Sequence, residues 1–132
     1  MKNNWSKEEL QEISKAEEFY IGPANESENK NSIIRICSVV LNGSVYVRGN
    51  KGRRSHWYQT AVIRGSGRIS IAGLTRDVIF EAIDKNSVIE QIDEEYKKKY
   101  QGHGYLNWLL SESARSGTLK IVPKKVVRTR ED

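Results

Sequence analysis

The sequence has very little cysteine and no long apolar run. The single thiol, Cys37, excludes an internal disulfide framework and favours a reducing compartment. No apolar stretch approaches the about 20 residues that a membrane-spanning helix needs. The N-terminal segment MKNNWSKEEL lacks the apolar core of a signal peptide. We therefore expect a cytoplasmic protein that does not associate with membranes.

Residue patterns that carry enzyme chemistry are also missing. The two histidines, His56 and His103, are far apart, and Cys37 is near neither, so no metal site is predicted. Gly65-Ser66-Gly67 is followed by Ser70 where a dinucleotide fingerprint needs a third glycine. Neither a Walker loop nor a hydrolase nucleophile motif occurs. No catalytic residue can be assigned from the sequence.

Acidic residues are absent from a long central window. Between Asn29 and Arg76 there is no Asp or Glu, and the window carries a charge of +9, whereas the rest of the chain carries −4. The basic residues of the window are Lys30, Arg35, Arg48, Lys51, Arg53, Arg54, Arg64, Arg68 and Arg76. Such a local positive field selects an anion, such as phosphate, carboxylate or nucleic acid. The alternative is a basic face that serves only solubility.

The length of 132 residues suits one domain with its own core. We expect this domain to cover residues 1–123 and a charged tail to follow over 124–132. Six segments have the composition of strands: Phe19–Ile21, Ile33–Leu41, Ser44–Arg48, Arg68–Ala72, Thr75–Ile83 and Thr118–Val122. Asn42-Gly43, between the second and the third, predicts a two-residue hairpin.

Two capping boxes predict the start of helices. Ser6 to Glu9 opens a helix from about Lys7 to Glu17, and Ser87 to Glu90 opens a longer one. Along the longer helix, Asp93–Lys97, Glu94–Lys98 and Glu95–Lys99 predict i,i+4 ion pairs on a solvated face. Shorter helices are expected over His56–Ile63 and from Tyr105 to Gly117. Cys37, within a strand, is expected to be a buried core thiol.

The candidate ligand site is the basic loop that follows the strand Ser44–Arg48. Gly49 and Gly52 allow backbone N–H groups to approach an anion closely. Arg48, Lys51, Arg53 and Arg54 supply charge, Ser55 supplies a hydroxyl, and Trp57 and Tyr58 either cover a flat ring or fill the barrel end. Single-stranded nucleic acid could use the same ingredients and is the second choice. Because exposed loop charges contribute little to stability, replacing both Arg48 and Lys51 by Ala is expected to weaken ligand binding and to leave the fold intact.

Seven short motifs follow one another along the chain. They are Trp5-Ser6-x-x-Glu9-Leu10, Tyr46-Val47-Arg48, Trp57-Tyr58, Gly67-Arg68-Ile69, Asp77-Val78-x-Phe80-Glu81, Tyr96-x-x-Lys99-Tyr100 and Thr118-Leu119-x-x-Val122-Pro123. This series resembles an uncharacterised bacterial family, domain of unknown function 2255. Through the strand, basic loop and Trp, it also resembles the flavin- and deazaflavin-binding split β-barrel superfamily. That superfamily includes proteins similar to pyridoxamine-phosphate oxidases and to deazaflavin-dependent nitroreductases.

The resemblance implies an α+β fold, a six-stranded antiparallel split β-barrel with flanking helices. It also implies a homodimer and an FMN- or deazaflavin-dependent oxidoreductase whose substrate is unknown. The candidate cofactor-binding residues are Arg48, Lys51, Gly52, Arg53, Ser55, Trp57 and Tyr58. Arg53-Arg54 replaces a second loop glycine of the superfamily. The alternative is a cofactor-free module that binds nucleic acid or another anion.

The aromatic residues also favour a homodimer. Trp57, Trp108, Tyr96, Tyr100 and Tyr105 are many large rings for one small core. Rings left at the surface favour an interface between subunits.

Overall fold

The barrel predicted from the sequence is present in the computed structural model, which describes residues 5–22, 33–49, 52–71 and 74–124. Six strands form a closed antiparallel barrel in the order β1-β2-β3-β6-β5-β4. Their bounds are β1 Phe19–Gly22, β2 Ile34–Leu41, β3 Ser44–Arg48, β4 Ser66–Ile71, β5 Leu74–Ala82 and β6 Leu119–Pro123. The described part of the chain also contains α1 Lys7–Lys15, α2 His56–Arg64, α3 Asn86–Lys99, α4 Leu106–Leu109 and α5 Glu112–Ser116. The α+β class is confirmed.

Local signals in the sequence place several of these elements. Asn42 and Gly43 have φ angles of 51° and 80°, as a two-residue hairpin between β2 and β3 requires. At the start of α1, the Ser6 hydroxyl accepts from the Glu9 N–H at 3.0 Å, and the Glu9 carboxylate accepts from the Ser6 N–H at 2.8 Å. The hairpin and the first capping box are therefore confirmed.

The prediction of a second capping box at Ser87 is wrong. Helix α3 begins at Asn86, one residue before Ser87, and its N-cap Lys85 makes no side-chain cap. The N–H groups of Val88 and Ile89 both donate to the Lys85 carbonyl, at 3.1 and 3.0 Å. Ser87 therefore lies inside the helix, where its hydroxyl cannot act as the N-cap.

The predicted i,i+4 pairs on α3 are also wrong. The observed pairs are Glu94–Lys97 at 3.0 Å and Glu95–Lys98 at 3.6 Å, both with i,i+3 spacing. Lys99 turns inward, and its ammonium donates to the Ser38 carbonyl at 2.8 Å and to the Ile13 carbonyl, at the end of α1, at 3.0 Å. The partners of Lys99 lie on α1 and β2, and contacts between elements cannot be predicted from residue spacing along one helix.

The apolar residues form two layers. Phe19, Val45, Ile69 and Leu119 fill the barrel interior, and Trp5 covers it with its indole N–H donating to the Ile121 carbonyl at 3.0 Å. The second layer packs the outer face of β2 and β3 against α3 and α4, and it contains Val39, Tyr46, Ile92, Tyr96, Tyr100 and Leu109. Because Tyr96 and Tyr100 are completely buried, they are core residues and cannot contribute to a dimer interface.

The segment from Tyr105 to Gly117 forms two short helices, not the single helix predicted. Ser111 breaks the segment and caps α5, because its hydroxyl accepts from the Ala114 N–H at 3.3 Å. Within the described ranges, no helix is long and apolar enough to cross a membrane. Apart from Lys124, the predicted tail 124–132 lies outside the described residues.

Candidate ligand cavity

A cavity of about 980 Å³ lies at one end of the barrel. It is bordered by the end of β1, the start of β2, the end of β3, and residues of α2 and α4. Its apolar wall includes Ile21, Ile34, Ile36, Ala61 and Leu109. This volume is at the upper end of the roughly 300–1,000 Å³ typical of small-molecule sites.

The charged side chains of the cavity have one sign. They are Arg35, Arg48, Arg54 and Arg64, and no Asp or Glu lines the cavity among the residues that the structure describes. Arg35 donates to the Glu17 carbonyl at 3.3 Å. Arg54 is exposed and makes no hydrogen bond or ion pair with any described residue. The cavity therefore favours an anion, and Arg54 has its full set of donors available.

Aromatic side chains form another part of the wall. Trp57 is half-buried, lines the cavity and packs against the barrel core, so packing at the barrel end is observed and contact with a ligand ring stays a prediction. Phe80 and Tyr105 are half-buried, and Trp108 is 59% exposed. Gly49 allows the close approach of Trp57, because a Cβ there would lie 2.8 Å from the indole Nε1. The site can thus offer flat apolar faces beside its arginines.

The acid-free window is not a continuous positive surface in the fold. Arg48 pairs with Asp93 at 2.6 Å, Arg68 pairs with Asp77 at 2.8 Å, and Arg76 pairs with Glu9. These carboxylates come from α3, β5 and α1, outside the window. Three of the nine basic residues of the window are therefore neutralised by carboxylates from other parts of the chain.

Arg48 is not the exposed loop charge that the sequence predicted, because it is completely buried. Its guanidinium donates to the Thr118 hydroxyl at 2.9 Å and to the Leu109 carbonyl at 3.0 Å. It also donates to Asp93 and, at 3.1 Å, to the Ile89 carbonyl. The premise that Arg48 is an exposed loop charge is therefore wrong, and we expect its replacement to affect the fold.

The other predicted cofactor residues separate into two groups. Ser55 and Trp57 border the cavity together with Arg48, whereas Gly52, Arg53 and Tyr58 are not among the described residues that line it. Lys51 lies outside the described residues. Whether these residues contact a ligand stays a prediction.

The loop residues have structural roles. Gly52 has a φ of 57° and packs so closely on α5 that a Cβ would lie 1.8 Å from the Ser113 carbonyl oxygen. Arg53 donates to the Ser116 carbonyl at 2.7 Å. The Ser55 hydroxyl donates to the Gly52 carbonyl at 2.8 Å and caps α2 at the Tyr58 N–H. Tyr58 is 7% exposed and belongs to the barrel core.

Sequence reasoning missed several residues of the cavity. Arg35 and Arg64 belong to the acid-free window, and that window was the only signal for them. The sequence excludes His56 only as a metal ligand and favours Tyr105 and Trp108 at a dimer interface, so it predicts none of the three at the cavity. Arg54 was recognised as part of the basic loop but was not among the predicted cofactor-binding residues.

Cys37 borders the cavity and is half-buried, so it is not a fully buried core thiol. Burial raises the pKa of the thiol, and this effect outweighs the lowering by the Tyr100 hydrogen bond and by Arg35 and Lys99. The thiol is therefore neutral at physiological pH and a poor nucleophile. Among the described residues there is no group of three or more His, Cys, Asp or Glu that could hold a metal ion.

The fold and the cavity define a small α+β barrel protein with an arginine-lined, partly aromatic cavity at one barrel end. A family of uncharacterized proteins conserved in bacteria, DUF2255, matches residues 9–121 of the sequence. The chain belongs to this family. A comparison with curated proteins found no significant match.

Proposed function

We propose that the cavity binds a phosphate-bearing flavin-type cofactor, FMN or a deazaflavin, and that the protein is an oxidoreductase. The observation that supports this proposal is the cavity of about 980 Å³, whose charged wall is cationic among the described residues and whose other side chains include Trp57, Tyr105 and Trp108. A ligand that suits this wall has an anionic group and a flat aromatic body.

The available donors fit such a cofactor at some positions and not at others. Arg54 and His56 are exposed at the cavity and can hold a phosphate. The Ser55 hydroxyl already donates its hydrogen bond to the Gly52 carbonyl, and the guanidinium of Arg48 already donates to protein oxygens, so neither suits the phosphate. We therefore place the phosphate grip on Arg54 and His56, and the ring contacts on Trp57 and Trp108.

A bound flavin or deazaflavin supplies hydride transfer, so the protein needs no acid–base pair of its own for that step. The task of this chain is to hold the phosphate, to orient the ring and to exclude water from it. The apolar wall formed by Ile34, Ile36 and Leu109 suits the exclusion of water.

A titration of the purified protein with FMN and with a deazaflavin cofactor, followed by absorbance and fluorescence, tests the proposal. We expect saturable binding and a loss of affinity in Arg54→Ala, but not in Lys98→Ala, which removes an equal charge from the outer face of α3. Absence of binding at tens of micromolar would overturn the proposal. Steeply salt-dependent binding of a single-stranded oligonucleotide instead would favour the rival, a cofactor-free module.

A homodimer belongs to the same proposal. Trp108 is 59% exposed at the cavity mouth, where a second subunit could cover it. An anion between two cationic cavities would lower their repulsion, so FMN should tighten the dimer. Light scattering over a series of protein concentrations tests this expectation. A monomer at high concentration, both with and without FMN, would contradict it.

A further inference from the structure

We infer that Arg48 is a positioning residue, which holds one wall of the cavity through the backbone of Leu109 and does not itself grip the anionic ligand. The resemblance to flavin proteins places Arg48 on the phosphate. The contacts of its side chain assign it a different task. Only the affinity measurements below rest on the proposed function.

The donors of Arg48 are almost all in use. A guanidinium has five N–H groups. Nε donates to Thr118 Oγ1 at 2.9 Å, and Nη2 donates to the Ile89 carbonyl at 3.1 Å. Nη1 donates to Asp93 Oδ1 at 2.6 Å and to the Leu109 carbonyl at 3.0 Å. The single remaining N–H cannot form the bidentate fork that makes arginine effective on phosphate.

The charge of Arg48 is also compensated. Asp93 Oδ1 contacts Arg48, and the other oxygen of the same carboxylate lies 3.1 Å from Arg115 Nε. The Tyr96 ring lies on another side of Arg48, with its centroid 5.1 Å from Cζ. If Arg48 turned toward a ligand, the largely buried Asp93 carboxylate and three other protein oxygens would lose their hydrogen-bond donor. Such a rearrangement is strongly unfavourable.

The bond to Leu109 connects this buried cluster to the cavity. Leu109 is the last residue of α4, and helix C-termini have carbonyls without an intrahelical partner. Helix α4 has only four residues and no side-chain N-cap, so its position depends on contacts with the rest of the protein. Tyr105, Trp108 and Leu109 all line the cavity. Arg48 therefore sets the position of the wall that they form.

The test uses Arg48→Lys, which keeps the charge but replaces the planar fork by a compact ammonium, and Asp93→Asn, which keeps the shape of the partner. Hydrogen exchange is measured over residues 105–117 and, as an internal reference, over α1, residues 7–15. We expect exchange over 105–117 to rise about tenfold or more in each variant, since local opening frees these amides. Exchange over α1 should stay unchanged.

Ligand affinity distinguishes a residue that positions the cavity wall from a residue that contacts the phosphate. Arg48→Lys should lower the affinity for FMN and for riboflavin, which lacks the phosphate, by a similar factor, because no contact to the phosphate is lost. Arg54→Ala should lower the affinity for FMN only and leave exchange over 105–117 as in the wild type.

Two results would overturn the inference. They are wild-type exchange over 105–117 in Arg48→Lys and Asp93→Asn, and a loss of affinity in Arg48→Lys that is confined to FMN, as in Arg54→Ala. If FMN does not bind the wild type, the proposed function fails, and hydrogen exchange alone decides the role of Arg48. If Arg48→Lys does not fold, Asp93→Asn decides it.

Discussion

Replacing Arg48 by Met should destabilise the protein strongly, although the sequence suggested a dispensable loop charge. Met retains much of the apolar packing, so the change removes mainly the charge and the four hydrogen bonds of the guanidinium. Removing one partner of a buried ion pair costs about 3–5 kcal/mol. Asp93 keeps its contact with Arg115, which places the expected loss near the lower limit, at about 3 kcal/mol.

Urea unfolding followed by circular dichroism measures this loss, together with a fall in Tm on the order of 10 °C. Arg54→Met is the matched control, because it removes an equal charge from an exposed side chain of the same region. Its stability should stay within about 0.5 kcal/mol of the wild type. A loss below about 1 kcal/mol in Arg48→Met would refute the reasoning, since it would mean that the buried contacts contribute no more than an ordinary surface pair.

Two further predictions concern stability. Gly52→Ala should destabilise the protein by more than about 2 kcal/mol in urea unfolding, because strain at a positive φ adds to a clash with the Ser113 carbonyl. Gly43→Ala, which has a φ of 80° and open space around it, should show the strain alone, and an equal loss in both would contradict the clash. Burial lowers the pKa of Lys99 to about 8 in the folded protein, against opposing effects of Cys37 and Glu17. The unfolded chain then binds more protons between pH 8 and about 10.4, so stability relative to Lys99→Met should rise across that range. A flat or falling difference would contradict the lowered pKa.

The strands and most helices could be predicted from the sequence because local signals agree with the tertiary structure, whereas the barrel was implied by the family resemblance. Asn42-Gly43 supports a hairpin in any context, and the reciprocal bonds of Ser6 and Glu9 need no other part of the chain. The failures occur where tertiary contacts override local patterns. Asp93 and Lys99 have the spacing of a solvated helix face, yet both bind groups on other elements.

The site was harder to predict because strand β3 is covered on both faces. Val45, Tyr46, Val47 and Arg48 are all buried, so the alternation that separates inward from outward side chains is lost. The sequence therefore could not distinguish Arg48, which is buried under α3, from Arg54, which lies on the cavity wall. The acid-free window located the region correctly, but the acids that neutralise part of it come from distant positions.

The central claim is that the cavity recognises the phosphate of a flavin-type cofactor through Arg54. Dissociation constants for FMN and for riboflavin, which lacks the phosphate, test it most directly when measured for the wild type, Arg54→Ala and Lys98→Ala. A charge-assisted hydrogen bond contributes about 1.5–3 kcal/mol, so the wild type should prefer FMN by roughly 10- to 100-fold. The preference should persist in Lys98→Ala and largely disappear in Arg54→Ala, with riboflavin affinity unchanged. Equal affinity of the wild type for the two ligands, or a full preference for FMN retained in Arg54→Ala, would contradict the account.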